Sequence, residues 1–286
     1  MSKKLGNDYW TSIIESKRNP FYINFKEIWD YRDLIQLLVR RDIVTVYKQT
    51  ILGIFWFIIP PVFTTFTYVI IFSGIAKIST SGINPIIFYL SGVVLWSFFN
   101  DTVQRTSITF RMNADIFSKV YFPRLIAPIS SVLSAIIKFL VQFILVVLIL
   151  GYLKWQGIYE NPLWDRIWLL PVIIIMASIL GLGVGILISS LSTKYRDIGY
   201  LTQFGMQLLM YATPVIYPLS SIPEKYRFLM LFNPISAMIE SFRYVLTGSG
   251  LFSWQSLGIA FIISILTFLI GLFAFNSVEK SFVDTI

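Results

Sequence analysis

LIAPISSVLSAIIKFLVQFILVVLIL, residues 125–150, runs for 26 residues with a single charge, Lys138. A hydrocarbon core about 30 Å thick takes about 20 helical residues to cross, so a run of this length and composition reads as a membrane span. Working outward, five further stretches have the same character: residues 51–76, 85–104, 167–191, 199–216 and 257–276. A seventh, residues 229–247, carries Glu240 and Arg243 in its middle. Two charges there would cost several kcal/mol on insertion, and it is not read as a span. The rest of the 286-residue chain agrees: 56% of it is hydrophobic and 13% charged, with a mean hydropathy of +0.73. A soluble domain would carry about a quarter charged residues. The expected fold is an all-α integral membrane protein with six transmembrane helices.

The absences narrow the chemistry. With no Cys and no His, the chain can build no disulfide, no thiolate or HExxH metal site and no His-based nucleophile system. It has no GxxxxGK[ST] loop and no Gly-Lys pair at all, so no nucleotide site and no resident cofactor is expected. One intramembrane Lys without a chain of buried Glu or His gives a proton relay little support. The formal charge of +8 is explained by orientation rather than by nucleic acid. Of the 23 basic residues, 16 fall on the N-terminal side of the six spans and 6 on the other, which places both termini in the cytoplasm. No apolar run follows Met1 to Lys4, so no cleavable signal peptide is expected.

Two regions organise the remainder: a cytoplasmic N-terminal segment, 1–48, and a transmembrane unit, 49–286. Residues 25–48 alternate Ile28, Leu34, Leu38 and Ile43 with Arg32, Arg40, Arg41 and Lys48 at helical spacing. This is an amphipathic helix too charged to span, and it reads as lying in the membrane interface. Between spans two and three, Asn113 to Lys119 (with Asp115, Ile116 and Phe117) forms a short helix, with Asn113 as N-cap and Pro123 as a stop. It is either a plain connection or a docking helix for a soluble partner. After span five, Pro214, Tyr217 and Pro218 break the chain, and Asn233-Pro234 is a helix start running to about Leu246 before Gly248. Prolines at membrane depth are tolerated only where backbone is packed in protein or lines a cavity. These 40 residues, Glu240 and Arg243 included, are expected to be a pair of re-entrant helices on the outer face, acting as a gate.

Within the spans, Lys138 lies about 20 Å along its helix. It should face a wet cavity together with Gln142, or pair structurally with Asp101; by their i,i+4 spacing Asp101 and Arg105 are expected to pair with each other. Gln203, Gln207 and Tyr211 recur every fourth residue and form a polar stripe suited to a conduit wall or to interhelical hydrogen bonds. Gly181, Gly185 and Ser189 make a small-residue stripe for close helix packing. Rings such as Trp56 and Tyr68 would offer flat faces to a sugar chain, whereas an ion would call for rings of charge or carbonyls.

Residues 34–60, LIQLLVRRDIVTVYKQTILGIFWFIIP, resemble the N-terminal signature of the permease subunit of type-2 ABC exporters, in particular those exporting O antigen, capsule or wall teichoic acid. TPVIY at 213–217, NPIS at 233–236 with Arg243-Tyr244, and EKSFVDTI at 279–286 strengthen the resemblance, which covers residues 27–286. Val283 stands where many relatives carry Ala, and the first 25 residues match nothing in the family. The resemblance implies an interface helix, a coupling helix at 113–119 that would transmit ATP-driven closure together with Arg40 and Arg41 of the interface helix, re-entrant gate helices, a homodimer, and two copies of a separate ATPase subunit holding ATP and Mg. It implies a lipid-linked glycan as substrate and a bacterial inner-membrane location. A permease for a drug or simple lipid, a membrane glycan-modifying enzyme and a secondary transporter are the alternative readings.

Overall fold

A computed structural model of the chain describes residues 25–48, 50–117, 119–120, 122–158, 163–192, 195 and 197–282. The first 24 residues, Lys194, Arg196 and the last four, Val283 among them, lie outside the described residues; so does the Asp115 side chain. Among the described residues the chain forms twelve α-helices and no strand: α1 Phe25–Asp30, α2 Arg32–Tyr47, α3 Ile59–Tyr68, α4 Pro85–Ser107, α5 Thr109–Met112, α6 Ala114–Phe117, α7 Ile126–Trp155, α8 Leu169–Ser192, α9 Ile198–Tyr211, α10 Glu224–Leu231, α11 Pro234–Thr247 and α12 Trp254–Phe282. Five stretches are long and apolar enough to cross a membrane: Gly53–Ile75, Pro85–Ser107, Ile126–Trp155, Leu169–Ser192 and Trp254–Ser277.

The stretch expected as span five is shorter than its hydropathy suggests. Its helix, α9, has 14 residues, about 21 Å at 1.5 Å per residue and less than the hydrocarbon thickness. The reason is local. Pro214 has no N–H and disfavours helical backbone at Thr213, so the helix stops at Tyr211 and Thr213 to Tyr217 continue as irregular chain. The amphipathic N-terminal segment also differs from the expected single helix, because the Tyr31 backbone (φ −94°, ψ 19°) separates α1 from α2.

The first crossing changes winding along its length, from a 3₁₀ turn at Gly53–Phe57, through α3, to a π-wound end at Val69–Ile75. Its prolines have a cost that the fold meets elsewhere. The Phe57 carbonyl would accept from residue 60 or 61 in a helix, and both are Pro, so neither has an N–H to give. Gln142 of α7 supplies the missing donor, its Nε2 lying 2.9 Å from Phe57 O.

α4 is the central element, packed by α3, α7, α8, α9 and α11. The small-residue stripe of α8 faces it. A Cβ on Gly181 would lie 2.7 Å from Thr102 Cγ2, one on Gly185 would overlap the Thr106 hydroxyl, and Ser189 Oγ accepts from the Phe110 N–H. Gly183, on another side of α8, sits against the α12 backbone at Phe268. α10 and α11 form the expected helical pair between α9 and α12. α11 begins at Pro234 and ends where Gly248 adopts φ +71°, a left-handed cap that glycine accepts without a Cβ clash.

Candidate substrate path and its two ends

Two polar stripes meet where α4 passes α9. Asn100 and Gln104 are spaced i,i+4 on α4, Gln203 and Gln207 are spaced i,i+4 on α9, and together with Trp96, Met206 and Met210 they line a groove of about 570 Å³. Four amide side chains in apolar helices expose donors and acceptors that a passing hydroxyl-rich chain can satisfy; lipid cannot. The Tyr68 hydroxyl lies 3.8 Å from the Met210 sulfur, and its ring meets Phe72 and Tyr89 edge-on at 5.3 and 6.0 Å. α3, α4 and α9 therefore meet here, and of the residues expected on the path Gln203, Gln207 and Tyr68 are at the meeting point. Tyr211 is exposed at the end of α9, where its carbonyl accepts from the Tyr217 hydroxyl at 3.0 Å. Trp56 is exposed on the 3₁₀ turn and is not among the groove residues. Asn100 and Gln104 were not anticipated, although their spacing repeats that of the Gln pair on α9.

Two expectations for α7 are corrected. Asp101 pairs with Lys138, Nζ to Oδ2 2.5 Å, which is one of the two settings open to that lysine, and not with Arg105. The physical reason is that an ammonium halfway along α7 needs an anion, while Arg105 lies one turn nearer the helix end. Gln142 does not face a wet cavity; it is buried and committed to Phe57 O. The ion pair yields a test. Lys138→Met leaves the Asp101 carboxylate unpaired and is expected to lower the thermal unfolding midpoint and polymer export together. Lys138→Met with Asp101→Asn should recover most of the midpoint, as measured in detergent by intrinsic fluorescence. Full recovery of export as well would restrict the pair to a structural role.

At the α4 C-terminal end, the expected helix at 113–119 is four residues long, α6. Asn113 stands at its N-terminal boundary, its carbonyl accepting from the Phe117 N–H at 2.9 Å while its Nδ2 donates back to the Thr109 carbonyl at 3.0 Å. Ile116 and Lys119 are exposed, whereas Phe117 turns inward. Phe275 of α12 stacks on Phe110 (centroids 4.4 Å), Phe110 meets Phe117 at 6.1 Å, and Phe117 meets Phe122 at 5.3 Å. Phe122 joins Leu38 of α2 and Ile126 of α7 in one buried cluster. A run of rings thus ties the loop to α2, α7 and α12. The two arginines expected to act with α6 differ in setting. Arg41 holds Asp42 at 2.9 Å, while Arg40 lines a groove between α2 and α7.

The opposite end is organised by Arg243, fully buried on α11. Stopping α9 at Tyr211 leaves carbonyls at Pro214 and Val215 with no helical donor. Arg243 Nη1 donates to Pro214 O, Nη2 to Val215 O at 2.8 Å, and Nε to Phe88 O of α4 at 3.2 Å. The guanidinium carbon lies 3.8 Å from the Phe88 ring centroid. Glu240, one turn earlier and also buried, balances the charge at 3.4 Å and accepts from the Leu219 N–H at 3.2 Å. Asn233 donates to Ala212 O and Thr213 Oγ1. Pro218 and Glu240 line a small cavity with Ser81 and Ser220, whose hydroxyls lie 2.7 Å apart. Of the residues expected at the gate, Pro214, Glu240 and Arg243 are joined directly in one knot, with Pro218 and Asn233 beside them.

Membrane-crossing helices beside a groove lined by amide side chains are the architecture of a transport subunit. Residues 33–247 match the family model described as ABC-2 type transporter, and the chain belongs to that family. It is 27% identical over 252 residues to the O-antigen export system permease protein RfbA of Klebsiella pneumoniae, covering 88% of this chain and 94% of that one. Over 223 residues it is 27% identical to the protein of the same name in Myxococcus xanthus, covering 77% and 82%. It is 21% identical over 249 residues to the polysialic acid transport protein KpsM of Escherichia coli, covering 86% and 94%.

Proposed function

We propose that the chain is the membrane-spanning subunit of an ATP-driven exporter that moves a lipid-linked polysaccharide of O-antigen type from the cytoplasm across a bacterial inner membrane. The observation that carries this reading is the amide-lined groove between α4 and α9 with aromatic rings beside it, which offers hydrogen bonds and ring faces but no ring of charge. The names of the relatives point to the same substrate class. Two copies of the chain enclose the conduit, and two copies of a separate subunit bind ATP and Mg. Both termini lie in the cytoplasm. That requires a sixth crossing, made by α9 together with the irregular chain after it, with α10 and α11 re-entering from the outer face. α2 lies in the cytoplasmic interface, and α6 docks on the ATPase.

The test is reconstitution of the permease with its ATPase partner and measurement of nucleotide-driven polymer export. Asn100→Leu with Gln207→Leu removes amides from both walls of the groove. At about 0.5 to 1.5 kcal/mol per hydrogen bond, export should fall about tenfold or more in the assembled complex. Export of a small amphiphile but not of polymer would replace this reading with a drug or simple-lipid permease, and transport without any nucleotide would end it.

A further inference from the structure

Beside the path, α2 and α7 part over an apolar groove of about 480 Å³ lined by Ile35, Val39, Ile43 and Val44 of α2 and Leu133 and Ile137 of α7, with Arg40 at its edge. None of these residues lines the groove between α4 and α9. α2 is anchored along the edge of this face, through Leu38 against Phe122 and Ile126 and through Asp42 toward Ser134. Ile35, Val39 and Ile43, spaced by four on one helical face, are half-buried along the groove, and Ile35 at its end also packs against the Leu38 cluster. Arg40 is exposed and makes no ion pair among the described residues, unlike Arg41.

We propose that this groove holds one acyl chain of an anionic phospholipid, with the phosphodiester on the Arg40 guanidinium. The inference rests on the reading of α2 as a cytoplasmic interface helix. Leu133 and Ile137 lie 7 and 11 residues into α7, about 10 to 17 Å along a membrane-crossing helix. At that depth a peptide would bring backbone amides with no partner, while an acyl chain brings none. The cationic edge selects an anionic headgroup, and a guanidinium fork matches two phosphate oxygens in a way that a zwitterionic lipid's own ammonium would contest. Trp29, exposed on α1, suits the same headgroup level.

The experiment uses the complex of permease and ATPase in nanodiscs of dioleoyl phosphatidylglycerol or dioleoyl phosphatidylcholine, released into detergent for native mass spectrometry. The wild-type complex should retain one phosphatidylglycerol per permease chain and no phosphatidylcholine. Arg40→Gln should cut retention about tenfold, the size expected for losing a charge-assisted hydrogen bond, and Val39→Trp, which fills the groove, should do the same. Glycerol phosphate, the headgroup without chains, should not compete. Equal retention of both lipids, or unchanged retention in both variants, would overturn the proposal. So would retention that appears only after deletion of residues 1–24, which would make that segment the occupant, or specific retention of polyprenyl-linked glycan. A complex that exports polymer but retains no phospholipid refutes the lipid site alone. One that retains it but exports nothing refutes the transport reading alone.

Discussion

Arg243→Met is expected to remove the protein from the membrane: no folded permease accumulates, and export is lost. The side chain donates to three backbone carbonyls, Phe88, Pro214 and Val215, and balances Glu240. Met keeps an unbranched stem of the same kind and supplies none of these. Each abandoned buried carbonyl costs about 1 to 3 kcal/mol, and a buried carboxylate stripped of its partner about 3 to 5 kcal/mol. These penalties are not additive, yet even part of them is large against a total stability of about 5 to 15 kcal/mol. Arg243→Lys keeps the charge but not the three-way fork, so it should give an intermediate abundance and a lowered unfolding midpoint. Adding Glu240→Gln to Arg243→Met should recover only the share due to the stranded charge, because the carbonyls stay unpaired. Gly92→Ala attacks the same knot from α4. The new Cβ would lie 2.5 Å from Arg243 Nη2 and 3.3 Å from Val215 O. Membrane abundance and thermal unfolding in detergent provide the readout. Wild-type values for Arg243→Met would mean that water, not Arg243, satisfies the broken end of α9.

That knot also marks the boundary of what the sequence discloses. Glu240 and Arg243 in an apolar stretch were legible as a sign that residues 229–247 do not simply span, and Pro214 and Pro218 as a break. What periodicity could not supply was the partner: the arginine serves carbonyls 155 and 29 residues away in the chain, and backbone carbonyls carry no residue-type signature. Gln142 failed for the same reason, since its role depends on two prolines in another helix. Asp101 was assigned to Arg105 by local spacing, yet the Lys138–Asp101 pair was legible as an alternative, because an ammonium within a span needs an anion. Where the pattern was local it carried further. The Gln203 and Gln207 stripe, the α8 glycines and the Gly248 stop needed only helical geometry. Asn100 and Gln104 were available by the same arithmetic, since their i,i+4 spacing repeats that of the Gln pair on α9.

Gly183→Ala and Gly185→Ala are expected to differ in whether they can be rescued, although both sit in α8 two residues apart. In isolation each change favours the helix by about 1 kcal/mol, so any loss must come from packing. At Gly185 the new methyl would run into the Thr106 side chain. That is overpacking of about 1 to 3 kcal/mol, and the offending atoms belong to one side chain: Gly185→Ala with Thr106→Gly removes both the hydroxyl and the Cβ that the methyl would meet, and should regain most of the unfolding midpoint, less the ~1 kcal/mol that a glycine costs the helix. The Thr106 hydroxyl bonds only to the carbonyls of Thr102 and Val103 within α4, which keep their helical donors, so deleting it strands no buried group. At Gly183 the methyl would meet backbone, 2.6 Å from Phe268 Cα and 2.7 Å from Phe268 N. No substitution on α12 can yield there, and Gly271, whose own Cβ would meet the Gly183 carbonyl, shows that the two helices touch main chain to main chain from both sides. α8 and α12 must separate, opening a gap along a packed interface. Gly183→Ala should therefore lower abundance and export more than Gly185→Ala does, and Phe268→Ala should fail to restore either. Rescue by Phe268→Ala would show that the helices part easily and that the ring, not the backbone, sets their spacing.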